Sequence, residues 1–329
     1  MDIFESPTLP SLAFKIFRTN FLKKNSVPII NKDLYNDLVK TFYGGHVDMY
    51  VPKGPRGANI NVNKINKLNI PELIKNNGIV FIKSKFKTIK HYDVNSLYPS
   101  AMLHYKYPTD ILGKFIGDIR LINNYSHYFE ENLGIYKLNV TSPKNILHPI
   151  LPIKSKNNTI YPTGKWTGWY YIEEIKNAIK YGYKFEILGG YIFSSDFIFT
   201  DYINNLYSIK ENSNKDDPMY LIAKLLFKSL FGKMALSPHI YKYKFFTLKN
   251  FNNEIIKDKI KDSIKEYIKV GNHYLVGFEN PSDHVLSNIA VGLAITSYSR
   301  IIMSQIKNNP NINLYYKLYL INSLTFCII

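Results

Sequence analysis

Leu34, Leu38 and Phe42 recur every four residues between Asn31 and the pair Gly44–Gly45. That period predicts a helix over 31–43, with Asn31 as its cap and the glycines as its stop. Alternation takes over in HVDMYVP, a strand ending at Pro52, and residues 53–71, rich in Gly, Asn, Lys and Pro, read as a long basic loop. GIVFIK (78–83) and TIKHYDV (88–94) read as two further strands. Residues 105–165 alternate in short stretches broken by Pro, Asn and Gly, as in an inserted region with β content. GWYYIEEIKNAIKYGY (168–183) predicts a helix, with Ile172, Ile175 and Ile179 on one face and Gly182 as its stop. KFEILGGYIF then predicts a hairpin through Gly189–Gly190. Two helices follow, over 199–211 and 218–235, on either side of the polar break ENSNKDD; residues 239–280 read as strands and charged turns. HVLSNIAVGLAITSYSRIIMSQIK is the strongest helix, with Val285, Ile289, Leu293 and Ile301 sharing a face and Asn308–Pro310 ending it. The last stretch, from Leu314, is strand-like.

Composition narrows the classes. The 329 residues suggest two or three compact units. With 46% apolar and 20% charged residues, the chain can bury a core. One cysteine, Cys327, excludes a disulfide scaffold and disfavours a cysteine-rich zinc site. No run of about 18 apolar residues occurs, so no membrane association is expected. The first twenty residues carry neither a secretory nor a transit pattern; Asp2 and Glu5 stand where a basic region would be. Forty-two Lys and Arg against 25 Asp and Glu leave a net charge of +17, which favours a polyanionic partner. Twenty-seven tyrosines add surfaces on which bases could stack.

The chemistry concentrates in His91-Tyr92-Asp93-Val94-Asn95-Ser96-Leu97-Tyr98-Pro99-Ser100. An apolar run delivers Asp93 to a turn, and Pro99 suits the first turn of a helix because it has no N–H to leave unpaired. Backbone N–H groups at such a turn can hold a triphosphate. Asp93 beside them could hold Mg²⁺, a hard cation that takes oxygen ligands. Tyr98 would lie beneath a sugar.

This segment resembles motif A of the family B DNA polymerases, D-x-x-S-L-Y-P-S. Further downstream, Lys224-Leu-Leu-Phe-Lys228-Ser229-Leu230-Phe231-Gly232 is similar to motif B, K-x-x-x-N-S-x-Y-G, with Lys228 in place of Asn and Phe231 in place of Tyr. Phe42-Tyr43-Gly44-Gly45 is similar to the family's Y-x-G-G element, with Phe42 for the first Tyr. SLAFKIFRTNF (11–21), residues 168–193 and SNIAVGLAITSYSRIIM (287–303) resemble the protein-primed branch of linear mitochondrial plasmids and some viruses. The resemblance implies an α+β fold, a partial right-hand polymerase core. It divides into the end of an exonuclease part and linker (1–88), palm with motif A (89–104), an insertion of the priming-protein type (105–198), fingers (199–236) and remaining palm (237–329).

The resemblance also assigns roles. Asp93 is the catalytic carboxylate, and Asp93 with Val94 holds Mg²⁺. Ser96, Leu97, Tyr98, Lys224, Lys228 and Phe231 bind nucleotide. Phe42, Tyr43, Gly44, Gly45, Ser229 and Gly232 meet DNA. The implied partners are template and primer DNA, deoxynucleoside triphosphates and a terminal priming protein, and the implied setting is mitochondrial. One element departs from the family. Motif C, Y-x-D-T-D-S, should follow the helix containing Ser299 and Arg300. If Ser323 takes the place of its Ser, Leu320 and Asn322 take the places of its two Asp. No acidic residue follows Asp283. The chain thus reads as a polymerase core cut at both ends with impaired catalysis, the alternative being a non-catalytic DNA-binding remnant.

Overall fold

The structure is a computed structural model that describes residue 6 and residues 8–45, 48–49, 74–76, 79–81, 90–155, 158–237, 241–247, 250, 264–279, 287–311, 314–320 and 323–328. The basic loop expected over 53–71 and the helical position Val285 lie outside the described residues. In chain order the helices are α1 (Leu9–Ile16), α2 (Lys32–Leu38), α3 (Leu97–His104), α4 (Tyr128–Glu131), α5 (Ile172–Lys180), α6 (Thr200–Asn212), α7 (Pro218–Met234) and α8 (Ile289–Lys307). The strands are β1 (Asp48–Met49), β2 (Ile74–Asn76), β3 (Ile79–Phe81), β4 (Lys90–Asn95), β5 (Tyr107–Ile116), β6 (Leu133–Thr141), β7 (Ile153–Ser155), β8 (Asn158–Ile160), β9 (Lys165–Tyr171), β10 (Lys184–Asp196), β11 (Tyr241–Thr247), β12 (Ile264–Val270), β13 (His273–Glu279), β14 (Leu314–Leu320) and β15 (Ser323–Ile328).

Three antiparallel sheets organise these elements, in the orders β1-β14-β15-β4, β5-β10-β6-β9 and β11-β13-β12, beside the hairpins β2-β3 and β7-β8. The first sheet joins distant parts of the chain. β1, just after Gly44–Gly45, pairs with β14 at Asp48↔Lys317 and Met49↔Tyr316. β15 pairs with β4.

α8 is the axis of the molecule. Its nineteen residues are long and apolar enough to cross a bilayer, but most of its surface is buried within the protein. It packs on α3, α5, α7 and β5. Three of its buried hydroxyls return to their own helix: Thr296 donates to the Leu293 carbonyl at 2.9 Å, Ser299 to Ile295 at 2.8 Å and Ser304 to Ile301 at 2.7 Å. Asn288 caps α8 by accepting from Ala290 N–H at 2.9 Å, and its own amide donates to the Pro28 carbonyl at 3.0 Å. The amino-terminal α1, which sequence periodicity did not reveal, continues into a π-helical turn over Phe17–Phe21 and packs along α7.

The structure corrects two expected elements and enlarges a third. Residues 184–193 form no hairpin. They belong to one thirteen-residue strand, β10, held between β5 and β6 with a bulge between Ile187 and Gly189. Glycine is needed there for clearance: a Cβ would lie 2.7 Å from the Phe115 carbonyl oxygen at Gly189 and 2.5 Å from the Ile135 carbonyl oxygen at Gly190. Gly189 also holds φ at +147°. Residues 168–183 are only partly helical, because Trp166, Trp169, Tyr170 and Tyr171 pair across β6 as strand β9 before α5 begins. On α5, Ile172 and Ile175 are buried but Ile179 is exposed, and Glu174 and Asn177 occupy buried places instead. Each has a partner there; Asn177 donates to Ser304 Oγ at 3.0 Å. Finally, β5 and β6 are longer than the short stretches expected over 105–165, with ten and nine residues.

Gly189→Ala should destabilise the fold by about 2–3 kcal/mol, through strain at φ and overlap with a carbonyl. Thermal or denaturant unfolding reads this directly; an unchanged midpoint would show that β10 does not run between its neighbours in this register.

Candidate active site

The site is built where β4 ends. Ser96 follows the strand in the left-handed region, at φ 52° and ψ 49°. Only Asn25 shares that feature among the described non-glycine residues. Such a conformation costs a serine about 1–2 kcal/mol, and strain of this kind collects at functional turns. Its effect is to turn the chain sharply from β4 into α3. The Ser96 carbonyl accepts from Ser100 N–H at 2.9 Å, but no side chain caps the helix. The first turn of α3 therefore begins at Leu97, and Pro99 within it has no N–H to satisfy. The start of α3 carries the positive end of the helix dipole.

α3 is fixed by burial. Leu97, Tyr98, Pro99, Ala101 and Met102 are buried, and the helix packs on α6, α7 and α8. The Tyr98 ring meets the Phe231 ring of α7 with centroids 4.5 Å apart and planes inclined at 43°. Exposure is 4% at Tyr98 and 8% at Phe231, so each ring offers little more than an edge to solvent. α7 begins at Asp217, which accepts from Met219 N–H at 2.8 Å, with Pro218 at the first helical position. Ala223, Leu226, Phe227, Leu230, Phe231 and Met234 face inward. Lys224 is exposed and Lys228 half-buried, at helical spacing from Phe231. Ser229 turns its hydroxyl back onto the Leu225 carbonyl at 2.6 Å.

On the other side of the turn lies the first sheet. In the β4–β15 register, Asp93 is opposite Thr325, Val94 opposite Leu324 and Asn95 opposite Ser323. Leu320 is opposite Ser323 across the β14–β15 hairpin. Partners in an antiparallel ladder lie about 4.5–5.5 Å apart at Cα. The end of β14 and the start of β15 therefore lie level with the end of β4, two residues beyond Asp93 and next to the start of α3. Two metal ions in one site need carboxylates from two strands. Here the adjacent strands carry Leu320, Ser323 and Thr325, two hydroxyl residues and an apolar one, and Asn322 lies outside the described residues. That donor set does not fit a metal pair. Among the described residues no group of three or more His, Cys, Asp or Glu could hold an ion.

The third expected element, Phe42–Gly45, follows α2 and leads into β1. Tyr43 is turned inward: its ring stacks on Tyr170 at 5.9 Å, beneath the Arg300 guanidinium at 5.7 Å and Lys154 at 5.8 Å. Burial pushes its phenol up to about 12. Phe42 and Gly45 are half-buried and Gly44 is exposed. Arg300 donates through Nη1 to the Tyr43 and Gly44 carbonyls, the latter at 3.2 Å. Its Nε and Nη2 fork onto Glu174 at 2.7 and 2.8 Å. Neither Arg300 nor Glu174 stood out as a site residue in the sequence. The available signal was a charged residue in the middle of an apolar helix. Of the expected residues, the structure thus brings together β4, Ser96–Tyr98 and α7, and sets the Phe42–Gly45 loop against α8 and the β5–β10 region.

Comparison with known proteins gives one consistent answer. The family described as DNA polymerase type B, organellar and viral, matches residues 1–66 and 78–313. A probable DNA polymerase of Neurospora intermedia is 34% identical over 328 residues, covering 96% of this chain and 30% of that one. One of Ascobolus immersus is 32% identical over 315 residues, covering 93% of this chain and 22% of the relative. The chain therefore spans less than a third of either relative. Among solved structures, Phi29 DNA polymerase complexed with primer-template DNA superposes with a TM-score of 0.61 at 17% identity, covering 98% of this chain and 49% of that one. Its ternary complex with incoming nucleotide substrates gives 0.62 at 18%, again over 98% of this chain and 50% of that one. At such identities the likeness is one of fold. The family match stops at 313, just before β14, so the hairpin keeps its place in the sheet although its sequence falls outside the matched residues.

Two glycines offer clean probes. A Cβ at Gly44 or Gly232 would meet nothing within 4 Å, so nothing within the described fold requires glycine at either position. Gly232→Ala, at an exposed position of α7, should stabilise the protein by about 1 kcal/mol. Gly44→Ala should leave stability within about 1 kcal/mol. Both should weaken binding to a DNA primer-template in a fluorescence-anisotropy titration at low salt. Undiminished affinity in both variants would contradict the DNA contacts that the sequence resemblance implies for these positions.

Proposed function

Because the chain belongs to the organellar and viral type B DNA polymerases, we propose that it binds primer-template DNA and a deoxynucleoside triphosphate in the manner of a protein-primed replicative polymerase. The observation that carries this reading is the meeting of Tyr98 and Phe231, 4.5 Å apart, which joins the strand–turn–helix of motif A to the basic helix of motif B. In this reading the triphosphate sits at the start of α3, beside Leu97, Tyr98 and the Ser96 turn, where the helix dipole is positive. Lys224 and Lys228 neutralise its charge from α7. The Tyr98 edge borders the sugar and excludes a 2′-hydroxyl, and the Phe231 edge borders the nascent base pair. Gly44, Gly45 and Gly232 let the DNA backbone approach closely, with Phe42, Tyr43 and Ser229 holding the segments around them.

DNA polymerases use divalent metal ions, and a pair of them clamps the attacking and leaving oxygens when both are bound. Asp93 with the Val94 carbonyl could contribute to one Mg²⁺ site; the hairpin beside it supplies no carboxylate to a second. That one observation favours the second reading within the first: binding is kept while nucleotidyl transfer by this 329-residue chain is lost or nearly so. The β5–β10 region is the surface we assign to a terminal priming protein. Replication of a linear plasmid or viral DNA, in mitochondria, is the setting we propose. The organellar part of the family description and the fungal relatives support it.

Primer extension with Mg²⁺ or Mn²⁺, alongside Asp93→Ala, tests the catalytic half. The expected result is negligible extension by both proteins, and robust Asp93-dependent incorporation would contradict it. Salt titration tests the binding half. Each phosphate neutralised by Lys or Arg contributes about −0.9 to the slope of log affinity against log salt. A slope of several units is expected; an affinity flat from low to physiological salt would rule out DNA as the partner of this basic surface.

A further inference from the structure

We propose that Glu174, in the middle of the inserted region, is a positioning residue for DNA binding, acting through Arg300 on the Tyr43–Gly44 backbone. The inference rests on the DNA-binding reading above. Glu174 and Arg300 are 3% and 5% exposed. The pairing is bidentate, Arg300 Nε to Glu174 Oε1 at 2.7 Å and Nη2 to Oε2 at 2.8 Å. Ser297, one turn before Arg300 on α8, completes the set. Its hydroxyl donates to Glu174 Oε2 at 2.8 Å and accepts from Arg300 Nη2 at 2.9 Å. That leaves Nη1 to reach the Tyr43 and Gly44 carbonyls.

The physical argument concerns what the pair does besides hold the core together. A buried ion pair gains little net stability, because desolvating two charges offsets their attraction; an apolar pair of similar volume often folds as well. What apolar side chains cannot do is donate to two backbone carbonyls. Arg300 can stay buried at those carbonyls only while a carboxylate neutralises it. Glu174 is that carboxylate, and it belongs to α5, between β9 and β10, far along the chain from residues 43 and 44. The loop it steadies by this route exposes Gly44, at which a side chain would meet nothing in the described fold. From there the chain enters β1, which pairs with β14 of the hairpin beside Asp93. One carboxylate of the insertion therefore fixes the backbone pose of a loop that faces DNA.

The test compares DNA affinity with stability. Wild type, Glu174→Gln, Gly44→Ala and their combination are titrated against a labelled primer-template DNA by anisotropy at low salt, with thermal midpoints measured in parallel. Glu174→Gln alone and Gly44→Ala alone should each weaken binding about tenfold, the scale of one charge-assisted hydrogen bond. Together they should weaken it no more than about tenfold, because both act through one loop; independent sites would multiply to about a hundredfold. Glu174→Gln leaves Arg300 buried and unpaired, so a second variant, Glu174→Met with Arg300→Met, removes both charges. It should hold its midpoint near that of wild type and still lose about tenfold in affinity. Wild-type affinity in the Met–Met variant, or a hundredfold loss in the Gln–Ala combination, would overturn the proposal while leaving DNA binding intact. Absence of binding by the wild type would instead overturn the DNA-binding reading, and this inference with it.

Discussion

The contact between Tyr98 and Phe231 is the constraint on which the site depends. Two rings, one on a short helix after a strained turn and the other deep in the face of a long basic helix, are held 4.5 Å apart and nearly buried. An aromatic pair of this kind contributes about 0.5–1.5 kcal/mol beyond the area it buries. Its larger consequence is geometric. It sets the start of α3 against the inward face of α7 at Phe231, one turn from Lys228. The rest of the fold supports that meeting: α8 packs on both helices, α1 lies along α7, and Tyr202 of α6 donates to the Leu226 carbonyl at 3.1 Å.

The first sheet sets the chemical limit of the site. Antiparallel pairing places the β14–β15 hairpin beside β4, and the residues it brings are Thr325 opposite Asp93 and Ser323 opposite Asn95. Neither residue opposite the end of β4 carries a carboxylate. Backbone pairing depends on strand length and alternation, which Leu314–Leu320 and Ser323–Ile328 retain. Metal binding depends on particular oxygen atoms, which these strands lack. The pairing of the strands and the chemistry of their side chains are thus set by different features of the sequence.

Much of this was legible in the sequence where local rules dominate. Asn31 caps α2 as read, its side chain accepting from Leu34 N–H at 2.8 Å. The polar break between α6 and α7 ends in a genuine cap at Asp217. The strand, turn and helix around Asp93 follow from an apolar run, a serine and a proline. What escaped depends on neighbours distant in sequence. Gly189–Gly190 looked like a turn, yet both glycines clear the carbonyls of flanking strands in a continuous β10. Ile179 shares the helical period of Ile172 and Ile175 but is exposed, because Glu174 and Asn177 take the buried places opposite α8. The Glu174–Arg300 pair joins residues 126 apart, and periodicity carries no information over that span.

A double-mutant cycle on Tyr98→Leu and Phe231→Leu, read as denaturant-unfolding free energy, addresses the meeting of the two helices most directly. The account predicts a coupling of about 1 kcal/mol between the two positions. Additive effects, with a coupling indistinguishable from zero, would mean that α3 and α7 do not share one site.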